Sequence, residues 1–115
     1  MARRPQDLGE SRCPEWAQPQ PGEFVELIQS LHGSVDGALI NAAALTHTSL
    51  AVRDSLLAVD LRFVEIHLSN IFAREEKRRH SLLADLAIGV IAGFGVQSYL
   101  LGLEALLSHL ESHSN

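Results

Sequence analysis

The sequence predicts an α/β domain built on a parallel sheet, and three observations carry that prediction. Short apolar runs within 37–41, 63–68 and 87–92 have the length and aliphatic content of strands. Segments with helical apolar spacing lie before, between and after them, so helices and strands alternate and the strands are expected to run parallel with right-handed crossovers. Polar residues able to do chemistry gather just past the ends of the first two runs, where open parallel sheets bind ligands.

With 115 residues, 46% of them hydrophobic, the chain has room for one domain. A net charge of -5 argues against a nucleic-acid partner. Cys13 is the single cysteine, so no internal disulfide is possible. Arg3 and Arg4 are not followed by an apolar core, so no secretory leader is expected and a cytoplasmic location is the default. Pro5, Pro14, Pro19 and Pro21 all precede Gly22 in a polar stretch without sustained periodicity. Residues 1–21 therefore read as a disordered Pro-rich tail and 22–115 as the folded domain.

The elements follow in order. Phe24, Leu27, Ile28 and Leu31 recur at helical spacing, and Gly33 is a suitable stop. Gly37 to Asn41 is the first strand. Thr46, Thr48 and Ser49 offer caps for a helix from Leu50 to Val59. Phe63 to Leu68 is the second strand, ended by Ser69-Asn70 and a charged segment with Arg74, Lys77, Arg78 and Arg79. Ser81 to Asp85 reads as a connection. Ala87 to Ala92 is the third strand, and Gly93-Phe94-Gly95 turns into a helix from Val96 to about Leu110. The uncharged stretch from Leu86 to Leu103 reaches the length of a membrane span. Gly89, Gly93, Gly95, Gly102, Gln97 and Ser98 fit a strand, a turn and a buried helix better, so no membrane partner is expected.

Each candidate site has a plain structural alternative. Asn41 and Thr46-His47-Thr48-Ser49 place polar groups at a strand end and a helix start, where an anion is welcome; they also suit a turn with caps. Glu65 and His67 are two apart, hence on one face of a strand. A carboxylate there can hold and charge an imidazole that donates a proton; the alternative is a hydrogen-bonded pair near a sheet edge. Arg74 and Arg78 share a face if their segment is helical, and Arg forks hold carboxylates; a solvated turn paired with Glu75 and Glu76 is the commoner meaning. Gly93-Phe94-Gly95-Val96-Gln97-Ser98 approximates a dinucleotide fingerprint, but close helix–strand packing explains it better. His109 and His113 have helical metal-ligand spacing without a third ligand, so no metal is expected.

Taken together, Asn41, Thr46-His47-Thr48-Ser49, Arg53-Asp54, Glu65-Ile66-His67-Leu68-Ser69-Asn70, Ala73-Arg74-Glu75 and Arg78-Arg79-His80-Ser81 resemble type II 3-dehydroquinate dehydratase, in order and at family spacing. Gly89 to Tyr99 resembles that family's last strand and helix, and the likeness runs from about Gly22 to Leu110. The resemblance implies a flavodoxin-like three-layer fold and a shikimate- or quinate-pathway lyase. Such an enzyme removes water from 3-dehydroquinate by anti elimination through an enolate, without metal or cofactor, as a homo-oligomer of trimers packed into a dodecamer. It also implies roles. His67 would protonate the departing hydroxyl with Glu65 behind it. The backbone at Leu68 and the Ser69 hydroxyl would hold the substrate carboxylate. Asn41, His47 and Arg78 would hold the ring's polar groups, Arg74 would support them, and Asp54 would reach a neighbouring subunit's site. The family's first strand, its lid with an arginine and the proton-abstracting tyrosine, and its second strand find no counterpart in the sequence. Phe72, Lys77 and Ser98 are smaller departures. The expected fold is therefore the family's, truncated to about three strands with 37–41 as an open edge. The expected site has its acid half and lacks its base half. The alternative is a non-catalytic homologue that binds a polyhydroxy carboxylate or only assembles with other subunits.

Overall fold

The structure, a computed structural model, describes residues 20–113, so the expected tail lies almost wholly outside the described residues. Helix α1 (Pro21–Ser30) begins one residue inside the stretch read as tail. Pro21 occupies the first helical position, where a missing N–H costs nothing because first-turn amides have no partner within the helix. Phe24 and Ile28 are its buried face. Strand β1 (Ala38–Ile40) follows, then a single-turn helix α2 (Leu45–Thr48) and α3 (Leu50–Val59). Of the three expected caps, Ser49 is the one used for α3: its Oγ accepts from the Val52 amide at 3.1 Å. Asp60 ends α3 in the left-handed region, φ 54°, a conformation that a short polar side chain tolerates. Strands β2 (Phe63–His67) and β3 (Gly89–Ala92) and helix α4 (Gln97–Ser112) complete the chain.

The sheet order is β1-β2-β3, all parallel, with Leu39 opposite Val64 and Ile66 opposite Ile91. Among the described strands β1 pairs only with β2, which makes it an edge, although its three side chains are buried. The period of two sorts the strands onto two cores. Ala38, Ile40 and Phe63 pack with Phe24, Ile28, Val52 and Leu56 on the α1 and α3 side. Leu39, Val64 and Ile66 pack with Leu106 of α4 on the other. Gly102 lets α4 lie close to β2, since a Cβ there would come within 2.4 Å of Ile66 Cδ1.

The charged segment after β2 takes the solvated-turn form that the sequence favours, with Arg78 paired to Glu75 and no shared helical face for Arg74 and Arg78. It makes two 3₁₀ turns, Ile71–Ala73 and Glu76–Arg78, with Arg74 extended between them (φ −91°, ψ 176°). Its sequence carries too few apolar side chains to bury a helical stripe, and Ile71 is the one residue of the two turns that is buried. No helix among the described residues is long and apolar enough to cross a membrane.

Candidate active site

The site begins with the central strand. Phe63, Glu65 and His67 alternate onto the α1 and α3 side, and β2 has a neighbour on both edges. The pair is thus not near a sheet edge. Glu65 is 1% and His67 5% exposed, so each must find its polar partners inside the protein. His67 Nε2 lies 2.5 Å from Glu65 Oε2. A carboxylate accepts, so Nε2 donates and Nδ1 is the nitrogen left for another partner. The second carboxylate oxygen, Oε1, accepts from the Ser81 hydroxyl at 2.7 Å.

Helix α2 brings His47 against this pair. The His47 and His67 rings stack with centroids 6.4 Å apart and planes 19° from parallel. His47 Nδ1 donates to the His80 carbonyl at 2.7 Å, which leaves Nε2 as the nitrogen for another partner. The neighbouring Thr46 carbonyl accepts from the Leu82 amide at 2.9 Å. Thr46 is fully buried and its hydroxyl has no partner among the described residues.

Past the end of β2, the Gly93 amide donates to the His67 carbonyl at 3.1 Å and the Gly95 amide to the Leu68 carbonyl at 2.8 Å. Both glycines have positive φ, 99° and 59°, which a side chain would strain. Their spacing serves a turn closed against the β2 end, not a phosphate cradle. Ser69 Oγ accepts from Arg74 Nη2 at 2.6 Å, and Arg78 pairs with Glu75 at 2.9 Å. Asn41 makes an Asx turn, its Oδ1 accepting from the Ala43 amide at 3.1 Å. That fixes the amide so that Nδ2 donates to the Tyr99 hydroxyl at 3.1 Å, across 58 residues of chain. Asp54 is exposed on α3 and joins none of these contacts. His109 and His113 stack at 4.1 Å, with His113 Nδ1 donating to the His109 carbonyl.

The sequence nominates Glu65, His67, His47, Asn41 and Ser69 as site residues, and it carries His80, Ser81 and Tyr99 only within the resemblance, without a role in this neighbourhood. One signal pointed to Ser81: a buried carboxylate in a strand needs a second donor, and Ser81 opens the next loop. Arg53 is quoted in the resemblance and Asp85 ends a connection, but the sequence assigns neither a role. Arg53 Nη1 donates to the Leu82 carbonyl at 2.7 Å, and its two guanidinium nitrogens reach the Asp85 oxygens at 2.6 and 2.9 Å. This fork ties the 80–85 strap to α3. The Arg53 hydrogen bond holds the Asp85 carboxyl below its usual range, and the same bond raises Arg53. A depressed folded-state value means the contribution is present above the unfolded range of Asp, about 4, and is lost as pH falls through the lower folded value. Urea unfolding should therefore find wild type more stable than Asp85→Asn at neutral pH, with the gap closing below about pH 4. A gap that persists undiminished in acid would remove the ion pair from this account.

With this geometry in place, comparison with known proteins is decisive on one point. The family model for class II dehydroquinases matches residues 13–107. The chain belongs to the class II dehydroquinase family. It is 55% identical over 93 residues to the 3-dehydroquinate dehydratase of Acaryochloris marina, covering 81% of this chain and 62% of that protein. The corresponding enzyme of Prochlorococcus marinus is 54% identical over 90 residues, covering 78% of this chain and 62% of the relative. The solved type II dehydroquinase of Butyrivibrio crossotus matches with a TM-score of 0.73 at 34% identity, over 76% of this chain and 62% of that one. This class II dehydroquinase chain thus spans less than two thirds of the length of these proteins. Its three-stranded parallel sheet flanked by helices is the arrangement expected from the resemblance.

Proposed function

We propose that the chain carries the acid half of a 3-dehydroquinate dehydratase site. The observation that supports this most directly is the buried Glu65–His67 pair at the end of the central strand, with His47 stacked beside it. The reaction class needs two proton transfers. A base takes a proton from the ring carbon beside the ketone, giving an enolate. The enolate then expels the hydroxyl, which leaves as water with a proton from an acid, and a carbon–carbon double bond conjugated to the ketone remains. His67, charged with Glu65 behind it, is the acid in this reading and gives its Nδ1 proton to the hydroxyl while Nε2 stays on the carboxylate. His47 Nε2 and the Asn41 amide hold ring hydroxyls. The Leu68 amide and Ser69 hydroxyl hold the carboxylate, and Arg78, released from Glu75, holds a polar group of the ring. Arg74 keeps Ser69 in place. Asp54, exposed on α3, points this account toward a second subunit in a homo-oligomer. The conjugated enone is followed by ultraviolet absorbance. Absence of product at any protein concentration, together with no binding of the substrate, would remove the reading.

A second reading, binding without turnover, is favoured by one observation. Tyr99 is the only tyrosine in the sequence, and its hydroxyl is engaged by Asn41. Both readings keep the carboxylate subsite. Titration with a quinate-like acid should weaken by about 1–3 kcal/mol in Ser69→Ala and in Arg78→Ala, the range for charge-assisted hydrogen bonds. Unchanged affinity in both variants would take the carboxylate away from these groups.

A further inference from the structure

We infer that Ser81 is a positioning residue of the Glu65–His67 pair: its hydroxyl fixes the carboxylate that in turn fixes the imidazole. The inference deepens the proton-donor reading of His67 and rests on it. The Ser81 proton has one direction in which to point. Ser81 Oγ accepts from the Leu83 amide at 3.0 Å and from the Ala84 amide at 3.1 Å. Two backbone donors fill the oxygen's lone pairs, so its own O–H is left to donate, and Glu65 Oε1 stands 2.7 Å away. The direction of this bond is therefore set by the main chain and cannot reverse.

The consequence falls on Glu65. A carboxylate that is 1% exposed has no water to satisfy it. One oxygen is taken by His67 and the other by Ser81, so the carboxylate can neither rotate nor shift without losing a bond to a charged acceptor. The loop bearing Ser81 is itself anchored. The preceding residue's carbonyl holds His47, the following residue's amide holds the Thr46 carbonyl, and Arg53 grips Leu82 and Asp85. One short strap thus orients both imidazoles, His47 through a backbone carbonyl and His67 through Ser81 and Glu65.

Removing the hydroxyl should change how tightly the pair binds its proton. Without the Ser81 donor, the state in which Glu65 carries unshared negative charge loses the most stabilisation. Protonating the pair relieves that loss, so proton affinity rises. His47, stacked at 6.4 Å, is the titratable side chain beside His67, and its own hydrogen bond to His80 does not involve Ser81 Oγ. The experiment follows the imidazole nitrogen and carbon-bound proton resonances of His67 by NMR across pH, in wild type, Ser81→Ala and Ser81→Thr, with His67→Gln to assign the signal. No substrate is present, so the outcome is independent of whether the chain turns anything over; failure of the dehydratase reading would appear only in the product assay. The expected result is proton binding about tenfold tighter in Ser81→Ala, with the midpoint at higher pH, and near-wild-type behaviour in Ser81→Thr, which keeps a hydroxyl. An unchanged midpoint in Ser81→Ala overturns the inference, as does an equal shift in Ser81→Thr. Should Ser81→Ala fail to fold, wild type alone decides. A Ser81 hydroxyl proton protected from exchange, whose resonance moves as His67 titrates, supports the positioning role, and one that ignores the titration overturns it.

Discussion

Purified as these 115 residues, the protein is expected to convert 3-dehydroquinate at least about a thousandfold more slowly than the longer relatives. The elimination needs a base and an acid held on opposite sides of the ring. In the proposed reading His67 is the acid; it is buried at a strand end with its Nε2 committed to Glu65. Among the described residues no comparable group stands ready as the base. Tyr99 is the single tyrosine, it belongs to α4, and its oxygen accepts a hydrogen bond from Asn41. A positioned acid or base typically contributes about 10²–10⁴-fold. A thousandfold corresponds to about 4 kcal/mol of barrier. The measurement is the rate of enone appearance on the purified chain beside a longer relative. Ordinary turnover that His67→Ala abolishes would mean that the base comes from another copy or from residues 1–19, and the deficit argument would be wrong.

The sequence made the regular elements legible wherever local chemistry decides them. Leu50 to Val59 is read to the residue because apolar periodicity and a serine cap agree. The same holds for β2, where strand period alone puts Glu65 and His67 on one face. Helix α2 was not legible, because four residues make barely one turn and carry no period. The charged segment after β2 was legible as a turn: Arg74 and Arg78 have helical spacing, but a segment that buries little but Ile71 has nothing to hold a helix in place. Contacts across the chain were the least legible part of the site. The His47–His67 stack depends on the His80 carbonyl, the Asn41–Tyr99 bond on how α4 crosses the sheet, and the role of Ser81 on the depth at which Glu65 is buried. Each is decided by packing between elements distant in sequence. Residue types alone could nominate the imidazoles but could not say what orients them.

The largest expected effect on stability belongs to Phe63→Ala. Phe63 is 1% exposed and is one of the largest side chains in the α1 and α3 core, packed with Phe24, Ile28, Val52, Leu56 and Leu83. Truncation to alanine removes the transfer energy of the ring and leaves a cavity that neighbours on three elements cannot all move to fill. The usual cost is about 3–5 kcal/mol. Against a total stability of about 5–15 kcal/mol for a domain, that is a large share. The backbone here is equally committed: Phe63 opens β2 opposite Ala38, and its carbonyl accepts from the Ile88 amide at 2.8 Å. Because Phe63, Glu65 and His67 share one face of one strand, loosening the start of β2 should also disturb the pair at its end. Phe72 provides the contrast. It is 60% exposed in a 3₁₀ turn, so Phe72→Ala should change stability by no more than about 0.5 kcal/mol. Urea unfolding of the two variants separates them, with a large fall in midpoint for the first, little for the second and an unchanged slope in both. Equal falls would mean that the face carrying Glu65 and His67 is not anchored by the core described here.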